Sequence, residues 1–262
     1  MRSKIILINA FAMLISLASC KKQTGPEGPQ GAAGATGPAL TGNLKGFVNH
    51  YDLSGAKMTT NLAGDSVSID GTSNVSVTDA QGLFSFGGLT TGVYNLTVKR
   101  AGYGWTKMQD IQFTGGGDTY RNANISKMPT TNVNTFMAYD TTINSINYVR
   151  VRGNVPSTNY TQSLIVYVGV PGNSTCNSAT ANQINQYVIN IGPSTAATVN
   201  YSKNIPTQEL YDVGYVSSNT AYFSIYTVGG NTNASSYVDL SNNRPILTAL
   251  GTAPMYASAP VQ

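Results

Sequence analysis

Residues 75–103 read VSVTDAQGLFSFGGLTTGVYNLTVKRAGY, and their pattern decides the fold of the first half of the chain. Val75 and Val77, then Phe84 and Phe86, alternate with other residues at the period of a half-buried strand. Between them, Thr78-Asp79-Ala80-Gln81-Gly82 has the chemistry of a turn. Asp79 can accept from backbone N–H groups ahead of it, and Gly82 is free to take positive φ. Gly87-Gly88 is expected to break the second strand. Gly92 precedes a third, residues 93–98, with Tyr94, Leu96 and Val98 at alternate positions.

The same pattern extends on both sides. Strands are expected at 44–49 and 66–70 before the quoted stretch, and within 105–113 and 118–127 after it. Gly115-Gly116-Gly117 supplies a further turn. About seven short strands with turn residues between them, and no helical period, argue a β-sandwich.

Particular residues now add a resemblance. Gly46-x-Val48, Leu62-Ala63-Gly64-x-x-Val67-x-Ile69, Thr78-Asp79-x-x-Gly82-x-Phe84-x-Phe86, Leu89-x-x-Gly92-x-Tyr94-x-Leu96 and Gly102-Tyr103 together resemble the carboxypeptidase regulatory-like family over residues 43–128. The resemblance implies a transthyretin-like sandwich, grouped with starch-binding-type folds. It implies no active site, because that family is non-catalytic even when fused to peptidases. Asp65 departs from the pattern, standing where the family places a small apolar residue, and this weakens the expected start of the second strand.

Met128-Pro129 marks the expected domain boundary, since a proline after a closing strand commonly opens a linker. Beyond it strands are expected at 133–139, 147–153, 164–170, 187–191, 197–201, 220–228, 237–240 and around 246–250. They make residues 129–262 a second β-sandwich, immunoglobulin- or fibronectin-like, with 252–262 as a loose tail. The fold class is therefore all-β, with two β-sandwich domains.

The chain begins with the features of an export signal. Arg2 and Lys4 precede an apolar run at 5–17 that is too short for a stable transmembrane helix. Leu17-Ala18-Ser19-Cys20 resembles the bacterial lipobox. That resemblance implies cleavage after residue 19, acylation of Cys20 and a lipid-anchored chain, expected at the outer membrane with either face open. Residues 20–42 form the anchor and spacer. Their triplets GPE GPQ GAA GAT GPA, residues 25–39, carry the collagen period. As a disordered, semi-extended spacer at about 3.1 Å per residue, this segment would reach roughly 60 Å. A trimer seeded by the triplets is the alternative.

Loss of Arg2 and Lys4 with the signal takes the formal charge from +4 to +2. The remaining cations are scattered, so no nucleic-acid surface is expected. Lipidation would leave Cys176 as the one free thiol, in a loop and unreactive. His50 is the chain's single histidine, so a histidine triad or a multi-histidine metal site is hard to build. The carboxylates show neither paired nor ligand-like spacing, and no phosphate-cradling glycine loop opens a helix. The chain is read as no enzyme, with no cofactor and no metal.

Aromatic residues are the remaining lead. If Ala221, Phe223 and Ile225 face the core, Tyr222 and Tyr226 face outward; if Leu164, Val166 and Val168 do, so does Tyr167. On neighbouring strands these three would make an exposed ladder able to stack on sugar rings. Cross-strand packing alone would produce the same pattern. Trp105, the only tryptophan, is either a sugar platform or a rim or core residue. Asp65-Ser66-Val67 and Asp140-Thr141-Thr142 resemble a short O-glycosylation acceptor of some envelope bacteria, making Ser66 and Thr141 candidates. The expected function is a non-catalytic envelope lipoprotein serving as a binding or structural accessory module, with glycan or envelope protein as partner. Carbohydrate binding at the cell surface is the alternative.

Overall fold

A computed structural model describes residues 37, 39–179, 182–230 and 235–262. The signal segment, Cys20 and nearly all of the glycine triplets lie outside the described residues. Among the described residues the architecture is all-β, with seventeen strands in five sheets and one six-residue helix.

In the N-terminal half, β1 (Thr41–Tyr51) is the organising strand. Leu44, Val48 and His50 alternate inward along it, as period two requires. It pairs antiparallel with β4 (Leu83–Thr90) on one edge. On its other edge it runs parallel to β7 (Asp118–Tyr120) and then to β8 (Ala123–Ser126). The chain crosses between those two strands directly over Gly46. A Cβ there would lie 1.7 Å from the Arg121 carbonyl oxygen, so only glycine fits.

The facing sheet runs β3-β2-β5-β6, that is Val75–Val77, Ser66–Ile69, Gly92–Lys99 and Thr106–Phe113. Both sheets bury one face in a core that includes Leu44, Phe84, Leu96, Ile111, Phe113 and Ile125. The expected break at Gly87-Gly88 does not occur. Gly88 takes φ +69°, the β1–β4 register shifts between Gly42 and Leu44, and β4 continues to Thr90.

The C-terminal half stacks a three-stranded sheet on a four-stranded one. The first is β13-β10-β9 (Thr198–Pro206, Ile146–Pro156, Thr135–Ile143). The second is β12-β11-β14-β17 (Gln183–Ile191, Gln162–Gly169, Thr220–Val228, Met255–Pro260). Between them lies a core with Val149, Val151, Leu164, Val166, Phe223 and Ile225. β9 and β10 meet at Asn144-Ser145, both with positive φ, the geometry of a two-residue hairpin turn matching strand twist.

Two sequence expectations are corrected here. The supposed tail 252–262 contains β17, which pairs with the open edge of β14 and buries Ala259 and Val261. A helix also exists: α1 (Thr207–Asp212) buries Leu210, but six residues are too few to display a period.

The two cores are distinct, one on each side of Met128-Pro129. The chain nevertheless returns to the first half near its end. The hairpin β15–β16 (Ser236–Asp239, Arg244–Leu247) lies between the halves. The Ser126 N–H donates to Ser235 Oγ at 2.6 Å, Ser235 Oγ to the Gly104 carbonyl at 3.1 Å, and Thr106 Oγ1 to the Ser236 carbonyl at 2.7 Å. Gly104 sits so close that a Cβ would lie 2.4 Å from the Ala249 nitrogen. Residues 39–262 thus form one compact unit.

Candidate functional site

The three tyrosines are only partly where alternation predicts. β11 and β14 are adjacent, as a ladder requires, and Tyr167 and Tyr226 share a face with ring centroids 5.7 Å apart. That face is not solvent. Tyr167 is fully buried, Tyr226 is 8% exposed and Tyr222 is half-buried. Cys176, Leu247 and Leu250 cover it, forming a second apolar cluster with Ile165 and Val228. The central strands of the sheet are therefore buried on both sides, and the exposed ladder is overturned. Residues 164–168, Leu-Ile-Val-Tyr-Val, carried the signal: an unbroken apolar run marks a doubly buried strand.

The Tyr167 hydroxyl is buried without a hydrogen-bond partner among the described residues, and burial pushes its ionisation far above the ordinary phenol range. Deleting it leaves the ring packed. Tyr167→Phe is expected to raise stability by about 1 kcal/mol in denaturant unfolding, because an unpaired buried hydroxyl is costly. A loss of similar size would mean that the hydroxyl is satisfied.

Cys176 is 2% exposed, its Sγ donates to the Tyr167 carbonyl at 3.2 Å, and burial pushes its thiol upward. Both effects suppress thiolate at neutral pH. In the native protein Cys176 should resist iodoacetamide and react only with denaturant present; rapid native labelling would contradict this.

Asp65, the departure from the family pattern, is fully buried at the centre of an ion network. His50 Nε2 lies 2.8 Å from Asp65 Oδ2, and Arg100 Nη1 donates to Asp65 Oδ1 at 3.2 Å. Thr78 Oγ1 accepts from the Asp65 N–H at 2.9 Å. The Tyr103 ring packs on His50 and beneath Arg100. Sequence reading missed this group because its members lie 15 and 35 residues from Asp65. The one histidine of the chain is thereby buried inside a sandwich.

The structure brings Trp105 together with Tyr226 at the junction of the halves. Trp105, just before β6, meets Tyr237 of β15 with centroids 4.6 Å apart and planes 31° from parallel. Lys107 Nζ stands 6.0 Å and 5.7 Å from the two ring centres and 3.5 Å from the Asp70 carboxylate. Both rings are half-exposed. They rim a cleft of about 470 Å³ that also takes in Met128, Tyr226, Leu250 and Thr252. Of the glycosylation candidates, Ser66 is exposed on β2, whereas Thr141 is half-buried within β9, two residues before the strand ends.

A scan against protein-family models finds no match, and a search of curated proteins finds none either. Among solved structures, the chain is similar to a candidate carbohydrate-binding protein from Bacteroides uniformis, at 11% identity over 83% of this chain and 98% of that one, TM-score 0.28. It is similar to a DUF3823 family protein from Parabacteroides merdae, at 13% identity over 82% and 98%, TM-score 0.26. A type II cohesin–X-dockerin complex from Acetivibrio cellulolyticus matches 30% of this chain at 24% identity, TM-score 0.26, and the chain spans only about half, 51%, of that structure's length. At these TM-scores the likenesses carry no argument about the site.

Proposed function

We propose that the chain is a non-catalytic binding module of the bacterial envelope, held at the outer membrane by lipid on Cys20 and a glycine-triplet spacer, with a carbohydrate seated in the Trp105–Tyr237 cleft. The carrying observation is that cleft. Two aromatic rings rim it, and its size falls within the roughly 300–1,000 Å³ of small-molecule pockets. Ring faces suit the C–H face of a sugar, Lys107 and the Tyr237 hydroxyl suit its hydroxyl groups, and Met128 and Leu250 exclude water. The reading as a non-catalytic module is supported by the buried His50, held against the Asp65 carboxylate, and by the buried thiol of Cys176. The sandwich of the N-terminal half supports the resemblance to the carboxypeptidase regulatory-like family.

A glycan screen on the full mature chain in detergent tests the cleft. Neutral oligosaccharides should be retained by the wild type, lost with Trp105→Ala and partly restored with Trp105→Phe. Each stacked ring should contribute on the order of 1 kcal/mol. No binding by the wild type, or binding unaffected by Trp105→Ala, would leave the aromatic pair as glue between the halves.

A further inference from the structure

The outer face of the β13-β10-β9 sheet carries a second set of groups that the cleft does not use. Register places Arg150 between Tyr139 and Asn204, and Arg152 between Met137 and Ser202, on the side opposite the core residues Val149 and Val151. Arg150 Nε donates to Asn204 Oδ1 at 2.7 Å, which fixes the guanidinium and leaves Nη1 and Nη2 without partners among the described residues. The Arg152 guanidinium lies over the Tyr139 ring, 5.1 Å from its centroid. Neither arginine has a carboxylate partner among the described residues. No Asp or Glu points from this face: the one acid of the three strands, Asp140, is paired in register with inward-facing Val149 and bonded to Gln262.

We propose that this face, independent of the aromatic cleft, binds a carboxylate-bearing polysaccharide. Two pre-oriented guanidinium forks stand two residues apart on one strand, about 7 Å along it. Each can accept a carboxylate in bidentate fashion. Flanking side chains supply what a hydroxyl-rich chain needs, because the amides of Asn154 and Asn200 both donate and accept. Met137, 48% exposed, offers an apolar contact for ring carbons. The groove over these residues is open and measures about 410 Å³, a shape for a strand laid across a sheet rather than a molecule enclosed in it. Two cations are few for a nucleic-acid backbone, which typically engages about 6–10 phosphate contacts. The face therefore fits a polyanion of lower charge density.

The test uses the full mature chain in detergent, with sodium polygalacturonate as probe and its fully methyl-esterified, neutral form as control. Polygalacturonate should bind and be displaced by salt, the neutral form should not bind, and Arg150→Gln with Arg152→Gln should weaken binding about tenfold or more. The single variant Arg152→Gln, at an exposed position, should weaken it by less while leaving the unfolding midpoint unchanged. Trp105→Ala should keep polygalacturonate binding, and the arginine variants should keep any neutral-glycan binding, so the failure of either site is read separately. Equal binding of single-stranded DNA would overturn the proposal in favour of a general polyanion patch. No polygalacturonate binding by the wild type, or binding insensitive to both arginines, would also overturn it.

Discussion

Asp65→Ala is expected to lower the unfolding free energy by about 3 kcal/mol, at the lower end of what removing one partner of a buried ion pair costs. The substitution strands Arg100 and leaves His50 buried with both ring nitrogens unpaired, since Nδ1 already lacks a partner among the described residues. The Asp65 carboxylate also accepts from Thr78, just after β3, and from Arg100, just after β5, and these two side chains in turn bond the loop before β2 at Leu62, Ala63 and Asn61. Asp118→Ala is the control. Asp118 meets Lys45 at 2.7 Å, shorter than the Arg100 contact, yet both groups are solvent-exposed and the pair is screened. Urea unfolding of the two variants should separate them clearly. If Asp65→Ala is as mild as Asp118→Ala, the buried network contributes nothing to stability.

The second large effect is a change of location. Cys20→Ala should block acylation and, if the lipid is the anchor as proposed, release the protein from the detergent-extracted membrane fraction. Two or three acyl chains hold a protein firmly, with each buried CH₂ contributing about 0.8 kcal/mol. The check is partition together with the mass of the N-terminal peptide. An unmodified wild-type peptide, with partition unchanged in the variant, would remove the lipid anchor from the account.

Strand alternation was legible in several strands with one face toward solvent, though not in β17, which was read as tail. β1, β2, β5 and β10 lie close to where their patterns put them. Alternation failed where a strand has no solvent face. In β11 all eight residues are buried, so period two correctly divided Val166 from Tyr167 but could not say that both sides were covered. The cover comes from Cys176, in a nearby loop of mostly polar residues, and from Leu247 and Leu250, far away in sequence. The Asp65 network was illegible for a related reason, since a charge that interrupts a family pattern is explained only by its distant partners. The cleft was half legible. Trp105 stood out as a lone tryptophan, but Tyr237 became its neighbour only through the returning hairpin.

The most direct test of the binding account uses that lone tryptophan. Because Trp105 is the only one in the chain, intrinsic fluorescence excited at the indole reports on the cleft alone. Titrating the full mature chain with the neutral oligosaccharides retained in the glycan screen should shift and saturate the Trp105 emission, with Tyr237→Ala weakening the apparent affinity by about one stacked ring, roughly fivefold to tenfold. Emission that stays constant while the same glycan demonstrably binds would place the ligand elsewhere and contradict the assignment of the cleft.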